Sequence, residues 1–241
     1  MKALLISFIL LICSPAWSLQ SAFGGTIEGL SIPNSHEVYS DASGARVVRG
    51  MEPRNKAQIH ELLDSGIEEV LIFKTDTKGE VAKEITQLQN AGLSAAAITH
   101  VPFPWKDLHD YKAACRMTIE ALKTIERSVK AGRSIYFHCT VGEDRTGYLA
   151  GLWGLWTGEF ETAAQAFKTE MCARGYEAGN PRKPYKEVVA KIRETLTPTY
   201  LKMATVLTEA RARGQNLHGS LCNQEPVIEN AAAFRCVSKR N

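Results

Sequence analysis

Beyond its first dozen residues the chain has no long hydrophobic run, so no later segment reads as a membrane span. It has no Cys-x-x-Cys pair, the usual mark of a thiol-redox enzyme. It also lacks any basic run with interleaved aromatics. Its 29 Lys and Arg nearly balance 26 Asp and Glu, for a formal net charge of +3. Nucleic acid is therefore not an expected partner. No internal repeat is present. What remains is ordinary for a globular protein: 44% hydrophobic and 23% charged residues, which argues against global disorder and suffices for a sizeable core. A length of 241 residues fits one large domain or one domain with extensions.

The two ends differ from the middle. Lys2 precedes the apolar run from Ala3 to Ile12, and Pro15, Ala16 and Ser18 follow around Trp17. A positive start, a short apolar stretch and a small-residue end describe a secretory signal peptide, with cleavage expected after Ser18; a buried N-terminal helix is the alternative. Ile12 stands where a lipoprotein cleavage box needs a small residue, so lipidation of Cys13 is not expected. Loss of residues 1–18 removes one charge, Lys2, and takes the net charge from +3 to +2. The expected location is exported, periplasmic or secreted, with no transmembrane segment after signal removal.

Of six cysteines, Cys13 would leave with the signal and Cys139 belongs to the motif below. Cys115, Cys172, Cys222 and Cys236 remain, an even number suited to an oxidising compartment. Cys222 and Cys236 share a tail with few helical signals and are the expected pair, leaving Cys115 with Cys172; four unpaired thiols are the alternative.

Residues 19–45 read as an irregular arm, 46–197 as the main domain, and 198–241 as a C-terminal helix and tail tethered by cysteines. Strands are expected at Val47–Gly50, Val70–Phe73, Leu93–Val101 and Ser134–Phe137. Helices are expected from Pro53 to Gly66, through Val81, Ile85 and Leu88 to Gly92, over 108–131, and from Thr146 onward. Others follow at about 160–174, 184–195 and 199–212, with Thr197 and Pro198 as cap and first turn of the last. Strands alternating with helices indicate a single α/β domain with a mostly parallel central sheet flanked by helices.

Residues 138–147 read His-Cys-Thr-Val-Gly-Glu-Asp-Arg-Thr-Gly, between an expected buried strand and a helix. Backbone N–H groups of a tight loop before a helix can converge on an anion, and the helix dipole adds positive charge there. A cysteine at that position, Cys139, would have its pKa lowered and attack phosphorus as a thiolate. Arg145 would return across the loop of Thr140, Val141, Gly142, Glu143 and Asp144 to grip two phosphoryl oxygens. Gly142 lets the backbone turn tightly. Thr146 could hydrogen-bond the sulfur, and His138 could orient the loop through a buried hydrogen bond.

Cys139, five residues, Arg145, Thr146 and Gly147, preceded by His138, resemble the signature of the cysteine-dependent protein tyrosine and dual-specificity phosphatases. The likeness extends over residues 46–195, and Arg49-Gly50 with Pro53 is similar to the segment opening many dual-specificity members. It implies a phosphotyrosine-phosphatase-like fold, a phosphocysteine intermediate, no metal and no cofactor. It also implies a general acid on a separate loop. Asp107, in Pro104-Trp105-Lys106-Asp107, is the candidate, with Asp110 second. Asp144 is third, as acid or as the residue that positions the attacking water. The loop resembles the Gly-Lys-Asp-Arg-Thr-Gly variant of bacterial tyrosine and lipid phosphatases, with Glu143 in place of Lys. An acidic tip weakens the field for highly charged inositol phosphates. Lys74 and Lys106 are the better candidates for a cationic substrate rim, ahead of Lys78, Arg182 and Lys183.

The leading expectation is hydrolysis of a phosphorylated substrate: a phosphotyrosine protein, an inositol phosphate as in phytase-like relatives, or a phosphoinositide. A non-catalytic phosphate-binding module of the same fold is the alternative, and sulfur transfer or thiol redox chemistry is a third reading. Oligomeric state leaves no signal.

Overall fold

The computed structural model describes residues 27–178, 185–228 and 230–236. The expected signal peptide, Cys13, Arg182 and Lys183 lie outside these residues. Five strands form one sheet: β1 His36–Ser40, β2 Arg46–Met51, β3 Glu69–Phe73, β4 Ile98–Val101 and β5 Ile135–Cys139, in spatial order β1-β2-β5-β3-β4. Only β1 runs antiparallel to its neighbour; the other pairings are parallel. β5 is therefore central, and its C-terminal end opens at the edge where ligands of parallel α/β sheets bind.

The short apolar runs make this sheet because both of its faces are covered. Val47, Leu71, Phe73, Ile135 and Phe137 point to one core, and Val48, Val70, Ile72 and Tyr136 to the other. Helices α1 Lys56–Asp64 and α2 Glu80–Asn90 cover the second face. The first face is covered by α3 Tyr111–Lys130, α4 Asp144–Thr157 and the C-terminal helices. α4 is buried continuously from Arg145 to Leu155, so the helix leaving the motif lies inside the domain.

Four features differ from the sequence expectation. The supposed irregular arm contains β1, which alternates too little to be read as a strand but pairs with β2. α1 starts after Pro53, where Asn55 accepts the Gln58 N–H at 2.9 Å and caps the first turn. Thr197 and Pro198 do not open a separate helix. α6 Tyr185–Lys191 passes through a π-helical turn, Ile192–Leu196, straight into α7 Thr197–Ala212. Pro198 lacks the N–H an α-helical interior would need, and a π turn just before it is one way to absorb that. Thr197 instead shares a 2.8 Å hydrogen bond with the Tyr176 hydroxyl.

The disulfides also differ. Cys115 bonds Cys222, and Cys172 bonds Cys236. The expected Cys222–Cys236 pair fails because the tail runs across the domain: Cys222 reaches α3, while Cys236 reaches the segment after the helical stretch α5 Ala163–Ala166 and its π-helical continuation Phe167–Met171. Tail cysteines near in sequence thus take different partners because of what each packs against.

Candidate active site

β5 ends on Cys139 and α4 begins on Asp144, so the intervening loop is bounded by a fully buried strand and a helix buried from Arg145 to Leu155. Cys139 is the free cysteine among the described residues and is buried. Its backbone N–H donates to Thr146 Oγ1 at 2.9 Å, tying the strand's last residue to the helix's first turn. Burial alone would push the thiol up. The Arg145 charge, the Thr146 hydroxyl and the backbone N–H groups of Thr146 and Val141 together outweigh it and hold Cys139 below its ordinary range.

Arg145 lies across the same loop. One guanidinium nitrogen donates to the Phe103 carbonyl at 3.2 Å and the other to Thr140 Oγ1 at 3.3 Å. Phe103 is itself fixed, fully buried and stacked on Phe73 at 4.4 Å between ring centroids. The loop that follows it therefore starts from a rigid point.

The outer side of the phosphate loop is held by residues far away in sequence. Gly142 turns with φ +74, and its carbonyl accepts from Arg49 Nη2 at 2.8 Å and Asn34 Nδ2 at 2.7 Å. With this carbonyl held outward on those donors, the turn is fixed from behind. Arg49 is fully buried; its Nη1 pairs with Glu170 Oε2 at 3.1 Å and donates to the Glu170 carbonyl. Glu170 also meets His36 Nε2 at 3.4 Å. Apart from Arg49, none of these partners carries a local sequence signal.

Behind Cys139 lies a second buried cluster. His138 Nδ1 contacts the Cys139 carbonyl at 3.0 Å, and its Nε2 lies 2.9 Å from Glu84 Oε1. Lys74 Nζ pairs with Glu84 Oε2 at 3.0 Å and with Glu52. Burial would push His138 down, but the Glu84 carboxylate reverses this and holds it above its ordinary value. Lys74 is thus no rim residue. It is 3% exposed and committed to two carboxylates, so the expected substrate contact is withdrawn. A lysine after a buried strand reads as a loop cation; here the ion pairs draw it inward.

A pocket of about 220 Å³ opens on the motif, lined by Cys139, Thr140, Val141, Asp144 and Arg145 together with Thr75, Thr77, Glu80, Trp105 and Val188. Gly142 and Glu143 contribute no lining. The Glu143 side chain lies against Gly175, where an added Cβ would come within 2.9 Å of its Cγ. Of the expected acids, Asp107 is exposed and outside the lining, as is Lys106; Trp105 is the residue of that loop that reaches the pocket. Asp110 caps α3, accepting the Ala113 N–H at 3.0 Å. Asp144 is the aspartate in the wall. Desolvation pushes its carboxyl up to about 6, against the Glu177 N–H and the Arg145 charge.

A family model described as "Polymorphic toxin system, DSP-PTPase phosphatase" matches residues 43–159. The chain is similar to a Cys-to-Ser variant of P. aeruginosa TpbA solved in complex with pTyr, with a TM-score of 0.52 and 16% identity over 81% of this chain and 99% of that one. It is also similar to a putative phosphatase from Shewanella putrefaciens, with a TM-score of 0.45 and 14% identity over 77% and 98% of the two chains. No curated protein matches the chain. The TpbA likeness shows the fold. The matched family model, with a lowered-pKa cysteine facing an arginine across a strand-to-helix loop, supports a cysteine-dependent phosphatase of the protein tyrosine and dual-specificity phosphatase superfamily.

Proposed function

We propose that this enzyme hydrolyses single phosphate esters carried on a flat, uncharged group, phosphotyrosine above all, with Cys139 as nucleophile, Arg145 as phosphoryl clamp and Asp144 as general acid. The observation that carries this reading is the composition of the pocket wall. Cys139, Arg145 and Asp144 share it, Arg145 is the cation among its lining residues, and Trp105, Val188, Thr75 and Thr77 offer an apolar and neutral approach. Glu80 adds negative charge, and Arg145 is the sole cation among the described lining residues to answer many phosphates, which disfavours polyphosphorylated inositols and phosphoinositide headgroups. The pTyr complex of the TpbA variant supports the same choice.

The thiolate of Cys139 attacks phosphorus as the bond to the leaving oxygen breaks, and Asp144 gives that oxygen its proton. Arg145 turns from the Phe103 carbonyl and Thr140 onto two phosphoryl oxygens, where its planar fork and the loop N–H groups meet the transition-state charge. Water then attacks the phosphocysteine and passes a proton to the Asp144 carboxylate, phosphate leaves, and the thiolate is restored.

Release of phosphate from p-nitrophenyl phosphate in EDTA tests the reading. Cys139→Ser should abolish it. Asp144→Asn should lower kcat by about 10²–10⁴-fold and remove the basic limb of the pH profile, while Asp107→Asn keeps the limb. Loss of the limb in Asp107→Asn alone would return the role to that residue. A phosphotyrosine peptide should be preferred to phytate and phosphoinositides.

We also infer that the enzyme works outside the reducing cytoplasm. The N-terminal pattern and the two disulfides support export. A mature chain found in the periplasmic or extracellular fraction and shortened by residues 1–18 is the expected result.

A further inference from the structure

Glu177 lies outside the phosphate loop, on the turn that follows the helical stretch ending at Arg174. It is buried, and its backbone is left-handed with φ 63, uncommon for a residue with a Cβ. Its N–H donates to Asp144 Oδ1 at 3.2 Å. Its carboxylate is gripped by Arg193 on both oxygens, Nε to Oε1 at 2.9 Å and Nη2 to Oε2 at 2.7 Å. The Cys236 N–H reaches Oε2 at 3.3 Å, and Cys236 is locked to Cys172 by a disulfide. A strained residue held by a bidentate ion pair and a cross-linked tail is over-determined, as strained residues at working sites are.

We propose that Glu177 is a positioning residue for Asp144: its backbone N–H fixes the Asp144 carboxylate in the pocket wall, and its own charge, metered by Arg193, sets the field in which Asp144 gains and loses a proton. The role assigned to Glu177 rests on the reading of Asp144 as general acid. The charged and titratable groups around Asp144 include Arg145 on its own helix, Cys139 and Glu80 in the same pocket wall, Arg49 from β2, and Tyr176 and Glu177 from the following segment. Glu177 favours the protonated carboxyl, whereas the two arginines and the Glu177 N–H favour the carboxylate. Arg193 acts one step further out, as the counter-charge that limits what Glu177 contributes.

Two substitutions separate this from a merely structural role because their effects have opposite signs. Glu177→Gln keeps the N–H, removes a negative charge and leaves Arg193 uncompensated, so Asp144 should titrate at lower pH. Arg193→Gln leaves the Glu177 charge bare, so Asp144 should titrate at higher pH. The expected displacement is about half a pH unit or more in each direction. It is read in the full chain twice: from the basic limb of kcat/KM for p-nitrophenyl phosphate, and directly from the ¹³C signal of the Asp144 carboxyl, assigned by its loss in Asp144→Asn. Shifts in the same direction, or an Asp144 signal that neither variant moves, would overturn the proposal. An Asp144 signal that moves as stated while the kinetic limb stays fixed upholds the positioning and sinks the general-acid reading instead. The Arg193 side chain is 37% exposed, so Arg193→Gln decides the matter even where Glu177→Gln fails to fold.

Discussion

Gly142→Ala isolates what the phosphate loop requires of its backbone. Gly142 turns at φ +74, and a Cβ there would sit 2.5 Å from both the Gly50 carbonyl carbon and the Met51 nitrogen. Left-handed geometry costs an alanine about 1–2 kcal/mol. The contact is with main chain on β2, which no rotamer change can relieve, and overpacking of that kind costs about 1–3 kcal/mol more. Reduced freedom of the unfolded chain returns about 0.4–1 kcal/mol. The net expectation is a loss of about 2–4 kcal/mol, or roughly 5–15 °C in Tm for a chain of this size. Activity should fall further than stability, because the shift pulls the Gly142 carbonyl off Arg49 and Asn34, and a displacement of about 1 Å near the chemistry can cost about 10²-fold. Gly132→Ala is the matched control: φ is +70, yet an added Cβ meets only the Ser43 hydroxyl at 3.8 Å. It should lose about 1 kcal/mol and leave kcat/KM intact. Calorimetry and p-nitrophenyl phosphate kinetics on both variants decide the matter. A Tm loss in Gly142→Ala no larger than in Gly132→Ala, with kcat/KM near wild type, refutes the reasoning.

Asp144→Asn should be more stable than wild type at neutral pH. The folded carboxyl titrates near 6, above its unfolded value, so ionising it opposes folding once the pH passes about 4, and the gain should vanish in thermal melts below that. Glu84→Gln removes the anion between His138 and Lys74 and should cost about 3 kcal/mol in urea unfolding, because two buried cations lose a shared partner. The stability that His138 contributes by being raised is full at low pH and lost as pH rises through its folded value; this dependence should flatten in Glu84→Gln. Reduction of the Cys115–Cys222 and Cys172–Cys236 bonds in a Cys139→Ser background should lower stability. Loops of 107 and 64 residues correspond to about 4–5 kcal/mol each in the chain-entropy model. A reductant-insensitive melt would argue against both crosslinks.

The phosphate loop was legible because its chemistry is local: Cys139, Gly142, Arg145 and Thr146 act through neighbours in sequence, and the strand and helix around them follow from short apolar patterns. The parallel sheet was legible for the same reason. What lay beyond reach is non-local. Asn34 and Glu170 look like ordinary polar residues until the fold brings them behind Gly142. Lys74 looks like a surface cation until Glu52 and Glu84 are seen around it. The tail cysteines have one sequence and several pairings, and only packing chooses. Asp107 occupies the expected stretch, but Trp105 takes the place facing the pocket.

The grip on the Gly142 carbonyl has a consequence for how portable this catalyst is. The matched stretch, residues 43–159, holds the nucleophile, the arginine and Asp144, but Asn34, His36, Glu170 and Glu177 lie on either side of it. Cut to that stretch, the chain would keep every reacting atom and Arg49, but lose Asn34 from the Gly142 carbonyl and the Glu170 that holds Arg49 in place. Its smallest working unit is therefore larger than its recognisable one.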